Sequence, residues 1–178
     1  NGNTASNQVS IEYDSTPPSV IVEQSIDQAD PTNSTLIRFT VQFHKPINLE
    51  TFTNDDFDLQ APAGASITSI SELEPNDGTT FEVFIEGMTE DGLITLTMPE
   101  GKVQDLAGND NTANTSTDNK VLYDTQSPLV DVIDIVEFYE GTPPDEFTIS
   151  FSEAMYNPEG DSDPDDVTNP ANYLLVEW

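Results

Sequence analysis

The chain repeats itself at a distance of 110 residues, and that constrains its fold more than any other feature. Val9-Ser10-Ile11-Glu12-Tyr13-Asp14-Ser15-Thr16-Pro17-Pro18 returns as Lys120-Val121-Leu122-Tyr123-Asp124-Thr125-Gln126-Ser127-Pro128, with Tyr13/Tyr123, Asp14/Asp124 and Pro18/Pro128 each 110 positions apart. The lead-in repeats too, since Asn3-Thr4-Ala5 matches Asn111-Thr112-Ala113. A second correspondence links Ile37-Arg38-Phe39-Thr40-Val41-Gln42-Phe43 with Glu146-Phe147-Thr148-Ile149-Ser150-Phe151, and Asp56-Phe57-Asp58-Leu59 with Ala171-Asn172-Tyr173-Leu174-Leu175. Self-similarity at a fixed period is the mark of modules in series. The expected organisation is the last strand of a preceding repeat at 1–18, one complete repeat at 19–125, and the first strands of a following, truncated repeat at 126–178.

Within the complete repeat, apolar residues alternate instead of recurring at helical spacing. Phe39, Val41 and Phe43 share one face at period two, as do Phe81, Val83 and Ile85, so each run buries one side of a sheet. Strands are predicted at 19–24, 35–43, 56–60, 66–71, 80–86, 93–98 and 120–123, separated by turn formers such as Asp30-Pro31, Asn76-Asp77-Gly78 and Ala107-Gly108-Asn109. Seven short strands in about 100 residues predict an all-β fold, two antiparallel sheets in a Greek-key sandwich.

Charge excludes several classes of partner. Asp and Glu number 34 against four Lys and Arg, a net charge of -30. Arg38, Lys45, Lys102 and Lys120 are too few to neutralise a phosphate backbone or hold the chain on anionic lipid, so nucleic-acid binding and membrane association are not expected. No apolar run approaches the roughly 20 residues that span a bilayer. With no cysteine, disulfides, zinc–thiolate sites and thiol nucleophiles are absent.

The run Asp105-Leu106-Ala107-Gly108-Asn109, followed by a strand and Tyr123-Asp124-Thr125-Gln126-Ser127-Pro128, resembles the D-x-A-G-N … D-x-T-x-P ending of bacterial Ig-like repeats. Such repeats occur in large cell-surface adhesins and biofilm-associated proteins. Phe151-Ser152-Glu153-Ala154-Met155 with Pro170-Ala171-Asn172-Tyr173 is similar to the F-S-E-x-M … P-x-N-Y opening of a related subgroup. At the matching place the complete repeat reads Phe43-His44-Lys45-Pro46, a departure from that pattern. The resemblance implies an Ig-like fold, an extracellular or cell-surface location, and calcium near the junctions between repeats.

Calcium takes six to eight oxygen ligands, and this chain is rich in carboxylates and amides. Asp105 and Asn109 share one tight loop; on the resemblance, Asp14 and Asp124 are expected as junction ligands. Asp161, Asp163 and Asp165 alternate as calcium-loop acids do, but without the Gly and Glu of an EF-hand. Asp27, Asp30, Asn33, Asp55 and Asp56 are weaker candidates, and turn capping is the plain alternative for all of them. Among 34 acids some pair always meets the spacing of a glycosidase, so paired carboxylates do not argue for catalysis. His44 falls on the outward parity of its strand with no nucleophile suggested beside it, and no enzymatic activity is expected. Asn33-Ser34-Thr35 and Asn114-Thr115-Ser116 are glycan sequons.

The expected function is that of a structural or adhesive extracellular repeat, a calcium-stiffened spacer in a cell-surface adhesin or fibre. Its partners are neighbouring Ig-like repeats, with a cell-surface or matrix ligand as a further possibility. The alternatives are a carbohydrate- or ligand-binding accessory module, a subunit of a strand-donating filament, and acidity that reflects life in high salt.

Overall fold

The structure, a computed structural model, describes residues 12–135 and 147–152. The chain divides into two compact units, residues 1–125 and 126–178.

The first unit contains β1 (Val20–Gln24), β2 (Ile37–Phe43), β3 (Asp58–Gln60), β4 (Ser66–Glu72), β5 (Thr80–Glu86), β6 (Gly92–Thr97) and β7 (Lys120–Tyr123). Each lies within two residues of its predicted bounds. β2 and β3 each begin two residues late; ahead of β3 the carboxylate of Asp56 accepts the Thr53 N–H at 2.6 Å and its hydroxyl at 3.1 Å. That cap winds Asn54–Asp56 into a 3-10 turn and delays the strand to Asp58.

All strand pairings are antiparallel, in one sheet of order β1-β2-β5-β4 and another of order β3-β6-β7. The period-two residues face each other across the interior. Val20, Val22, Ile37, Phe39, Val41, Phe43, Phe81, Val83 and Ile85 of the first sheet meet Ile94, Leu96, Val121 and Tyr123 of the second, with Ile47, Phe57 and Val103 added from loops. Burying each large side chain stabilises the fold by roughly 1.5–3 kcal/mol. An edge-to-face group packs one end of the core, with Phe52 centred 4.8 Å from Phe81 and 5.7 Å from Phe43.

One edge of the first sheet is closed by the extended segment 112–118, which runs parallel to β1. Thr112 and Thr115 N–H donate to Pro18 and Val20 carbonyls at 3.0 and 3.1 Å, and Gln24 N–H donates to Asp118 O at 2.6 Å. The segment then continues into β7, so the chain enters beside Pro18 at a leading pole and leaves after Tyr123 at the opposite, trailing pole. There Thr32 pairs with Tyr123 and Asp124 N–H donates to Thr32 O at 3.0 Å.

The second unit contributes β8 (Val130–Ile135) and β9 (Phe147–Phe151), an antiparallel pair. Its register opens as the first unit's does. Val130 faces Phe151 as Val20 faces Phe43. Ser152 N–H donates to Leu129 O at 2.9 Å while Leu129 N–H donates to Ser152 Oγ at 3.0 Å. His44 N–H likewise donates to Ser19 O at 3.1 Å, and Ser19 N–H to His44 Nδ1 at 2.9 Å.

Candidate functional site

At the leading pole β2 ends at Phe43, and the chain continues as His44-Lys45-Pro46. Because side chains alternate across a strand, Lys45 follows the inward parity of Ile37, Phe39, Val41 and Phe43, whereas His44 is exposed as its parity predicts. Lys45 therefore turns across the end of the sandwich. Its side chain is only 19% exposed.

The facing wall is the loop 105–109. Ile47 pairs with Asp105, and Asn48 N–H donates to Gln104 O at 2.7 Å, which fixes the loop against the chain that follows Lys45. Asp105 organises the loop from inside: its Oδ1 accepts the N–H groups of Ala107 and Asn109, both at 2.9 Å. Gly108 turns the backbone at φ 86°, a conformation open to glycine, so that its N–H reaches Asp105 O at 3.1 Å. These bonds leave Oδ2 to accept Asn109 Nδ2 at 2.9 Å and Lys45 Nζ at 2.8 Å.

The segment 12–18 lies on this surface. An Asx turn holds Asp14, whose Oδ1 accepts Thr16 N–H at 2.9 Å. Asp14 Oδ2 then accepts Lys45 Nζ at 2.7 Å, and Lys45 also donates to Thr16 O at 2.6 Å. Asn109 Nδ2 adds a bond to Asp14 O at 3.2 Å. All three ammonium protons of Lys45 are thereby directed to oxygens.

The electrostatics follow from these bonds. Burial alone would raise the Asp105 carboxyl, but the donors from the Asn109 side chain, Lys45 and the backbone N–H groups of Asn109 and Ala107 outweigh it and hold the group well below the usual carboxylate range. The Lys45 hydrogen bond, with Thr16 N–H behind it, lowers Asp14. The bonds to Asp105 and then Asp14 raise Lys45 above its ordinary value. The two carboxyls and the ammonium are thus each shifted toward their charged forms.

Of the expected calcium ligands, Asp14, Asp105 and Asn109 come together here, but around an ammonium. With Nζ inside 2.8 Å of both carboxylates, calcium does not fit between them unless Lys45 leaves. Among the described residues no three His, Cys, Asp or Glu side chains converge as a metal would need. Asp124 stands at the trailing pole, where Thr125 N–H and hydroxyl donate to Asp91 Oδ1 at 3.0 and 2.7 Å. Asp161, Asp163 and Asp165 lie outside the described residues.

The weaker candidates do backbone work or face solvent. Asp30 Oδ1 accepts Leu122 N–H at 2.8 Å, and Asp56 caps its turn. Asp27, Asn33 and Asp55 are exposed. Among the described residues no helix is long and apolar enough to cross a membrane.

Two residues that composition gave no reason to single out complete the picture. Lys45 supplies the charge at the pole, and its continuation of the β2 alternation was the available signal. Asn111, buried within the repeated Asn-Thr-Ala stretch, accepts Lys102 and Val103 N–H at 2.8 Å and donates to Pro99 O and Thr112 O at 2.9 and 2.8 Å. No protein-family model, curated protein or solved structure matches the chain.

Proposed function

We propose that this chain is a spacer segment of an extracellular tandem array of Ig-like repeats, in which each unit grips the linker that leads into it. The observation that supports the reading is the binding of linker 12–18 to the unit that follows it, through Lys45 to Asp14 and Thr16 and through Asn109 to Asp14. A linker bonded in this way loses the freedom of a flexible tether, so the direction of one unit constrains the direction of the chain before it. Chain entry and exit at opposite poles suits extension in series. The matching registers of β1–β2 and β8–β9 favour a second unit of the same kind. A net charge of -30 keeps such an array soluble and its units apart.

In this reading the cation at the leading pole is intramolecular. Calcium remains part of the proposal for Asp124 and for the acidic stretch of Asp161, Asp163 and Asp165, and the surface or matrix ligand is left to other parts of an array.

The test is small-angle scattering from a protein with two copies of residues 19–128 in series, so that Asp124–Pro128 leads into the second copy as Asp14–Pro18 leads into residues 19–125 of the present chain. The expected maximum dimension is close to that of two sandwiches end to end, unchanged by chelator and reduced or broadened in Lys45→Met. A wild-type distribution as broad as that of the variant would sink the proposal.

A further inference from the structure

We propose that His44 is an acid-released latch on the entry to β1: its neutral imidazole holds the Ser19 N–H, and the imidazolium lets it go. The inference concerns the first unit by itself and does not rest on the spacer reading.

The latch is the rung of the β1–β2 ladder one step beyond the Val20/Phe43 pair. His44 N–H donates to Ser19 O at 3.1 Å, and in return Ser19 N–H donates to His44 Nδ1 at 2.9 Å. A backbone N–H only donates, so Nδ1 is the bare nitrogen and the ring proton sits on Nε2. The Ser19 hydroxyl lies 3.2 Å from the same Nδ1. Adding a proton to Nδ1 sets two N–H donors against each other at 2.9 Å. The hydroxyl is free to turn and accept the new proton, whereas the Ser19 amide has no such freedom and loses its partner. An imidazole ordinarily takes up its proton at about pH 6.5, between neutral and mildly acidic surroundings.

The second unit closes the same rung without a titrating group. There Leu129 N–H donates to the Ser152 hydroxyl at 3.0 Å, and a hydroxyl accepts at any pH in this range. The geometry of the rung therefore does not demand a histidine. His44 is exposed, and it lines a surface recess of about 390 Å³ together with Ser19, Ile21, Gln42, Phe43 and Thr79, so no carboxylate or ammonium lies in the lining. The charged groups on the elements around it are engaged elsewhere. Ahead of β5, Asp77 Oδ1 accepts Thr79 N–H at 3.2 Å and Thr79 Oγ1 at 2.6 Å. Lys45, next in the chain, donates to Asp14 of the entering segment and Asp105 of the facing loop. All of these groups are shared by variants at position 44, so a comparison among such variants isolates the ring.

The sign follows from the bond. It needs the neutral ring, so its contribution is complete above the ordinary imidazole value and is lost as pH falls below it. Release acts on Ser19 and leaves the bonds of Lys45 to Asp14 and Thr16 in place. Acid thus loosens the junction between the segment 12–18 and β1, and not the hold of that segment on the loop 105–109.

Amide hydrogen exchange on the full chain, expressed as protection relative to the intrinsic rate at each pH, provides the test at about pH 7.5 and about pH 5. Ser19 protection falls by about three- to ten-fold in acid, the worth of one hydrogen bond, while Leu129 protection stays level. His44→Ser, which copies Ser152, abolishes the fall. Should Ser19 exchange too fast to follow, denaturant unfolding of the wild type and of His44→Asn, whose amide oxygen accepts without titrating, decides the matter. The wild type then loses about three- to ten-fold in its folding constant against the variant between the two pH values. Ser19 protection that follows Leu129 at both pH values overturns the latch, as does an equal acid loss in His44→Ser or a constant difference from His44→Asn. None of these results bears on the scattering of the two-copy protein.

Discussion

Lys45 crosses the leading pole to place its Nζ 2.8 Å from Asp105 Oδ2, a carboxylate whose side chain is 2% exposed. The same ammonium reaches Asp14 in the segment that precedes β1, at 2.7 Å. The ammonium occupies the place between the two carboxylates where a metal was expected, and several outcomes follow from that.

Charge reversal at Lys45 should create the requirement that the native residue removes. Ser152 makes the bonds in the second unit that His44 makes in the first, and it is followed in sequence by Glu153 where His44 is followed by Lys45. In Lys45→Glu three carboxylates and the Thr16 carbonyl converge, an oxygen set for a hard cation. In chelator its thermal midpoint falls below that of the wild type, and millimolar calcium restores it where matched sodium chloride does not. A calcium response equal to the wild type's would show that these oxygens do not converge.

Asp105 bears more than the ion pair. Asp105→Ala removes the acceptor of two loop N–H groups as well as the partner of Lys45 and Asn109, and it costs about 2–3 kcal/mol in denaturant unfolding. Asp105→Asn keeps one acceptor oxygen and costs less. Equal losses would mean that charge alone matters and the loop bonds do not.

The pH dependence has a definite sign. Asp14 and Asp105 are depressed in the folded state, so their contribution is complete above the ordinary aspartate value of 3.8 and is lost as pH falls below it. Lys45 is raised, so its contribution is complete below 10.5 and is lost as pH climbs beyond. The stability difference between wild type and Lys45→Met is therefore flat from about pH 5 to 9 and shrinks at both extremes. A difference that changes steadily across pH 5–9 would assign it to the overall charge.

The two sequons differ in access. Asn33 is exposed in the β1–β2 loop, whereas the Asn114 amide is bonded to Met98 and Ser116. Passed through a secretory pathway with N-glycosylation, the chain takes one glycan, removed by Asn33→Gln and unaffected by Asn114→Gln. Mass spectrometry of the intact protein reads the result, and a glycan on Asn114 would contradict the bonding described.

How much of this was legible in the sequence depends on the physical origin of each feature. Strand positions were, because period-two burial writes itself into residues such as Phe39, Val41 and Phe43, and the turn formers punctuate it. The meeting of Asp14, Asp105 and Asn109 was legible only as three candidates for one kind of role, since their approach depends on how a linker folds over a distant loop. Lys45 was overlooked although the β2 alternation runs through it; a lysine two residues past a core phenylalanine reads as surface until the facing carboxylates are in place. Bonds between β1 and the segment 112–118, such as those from Thr117 and Asp118 N–H to Glu23, join positions more than ninety apart, and no local pattern encodes them.

Amide hydrogen exchange at Thr16 and Thr112, measured on the wild-type chain in chelator, tests the central claim most directly. The account predicts that Thr16 and Thr112 are protected without calcium and that protection falls by about ten-fold or more in Lys45→Met. A linker that exchanges freely in chelator and gains protection only with calcium would contradict it, and would return the leading pole to a metal.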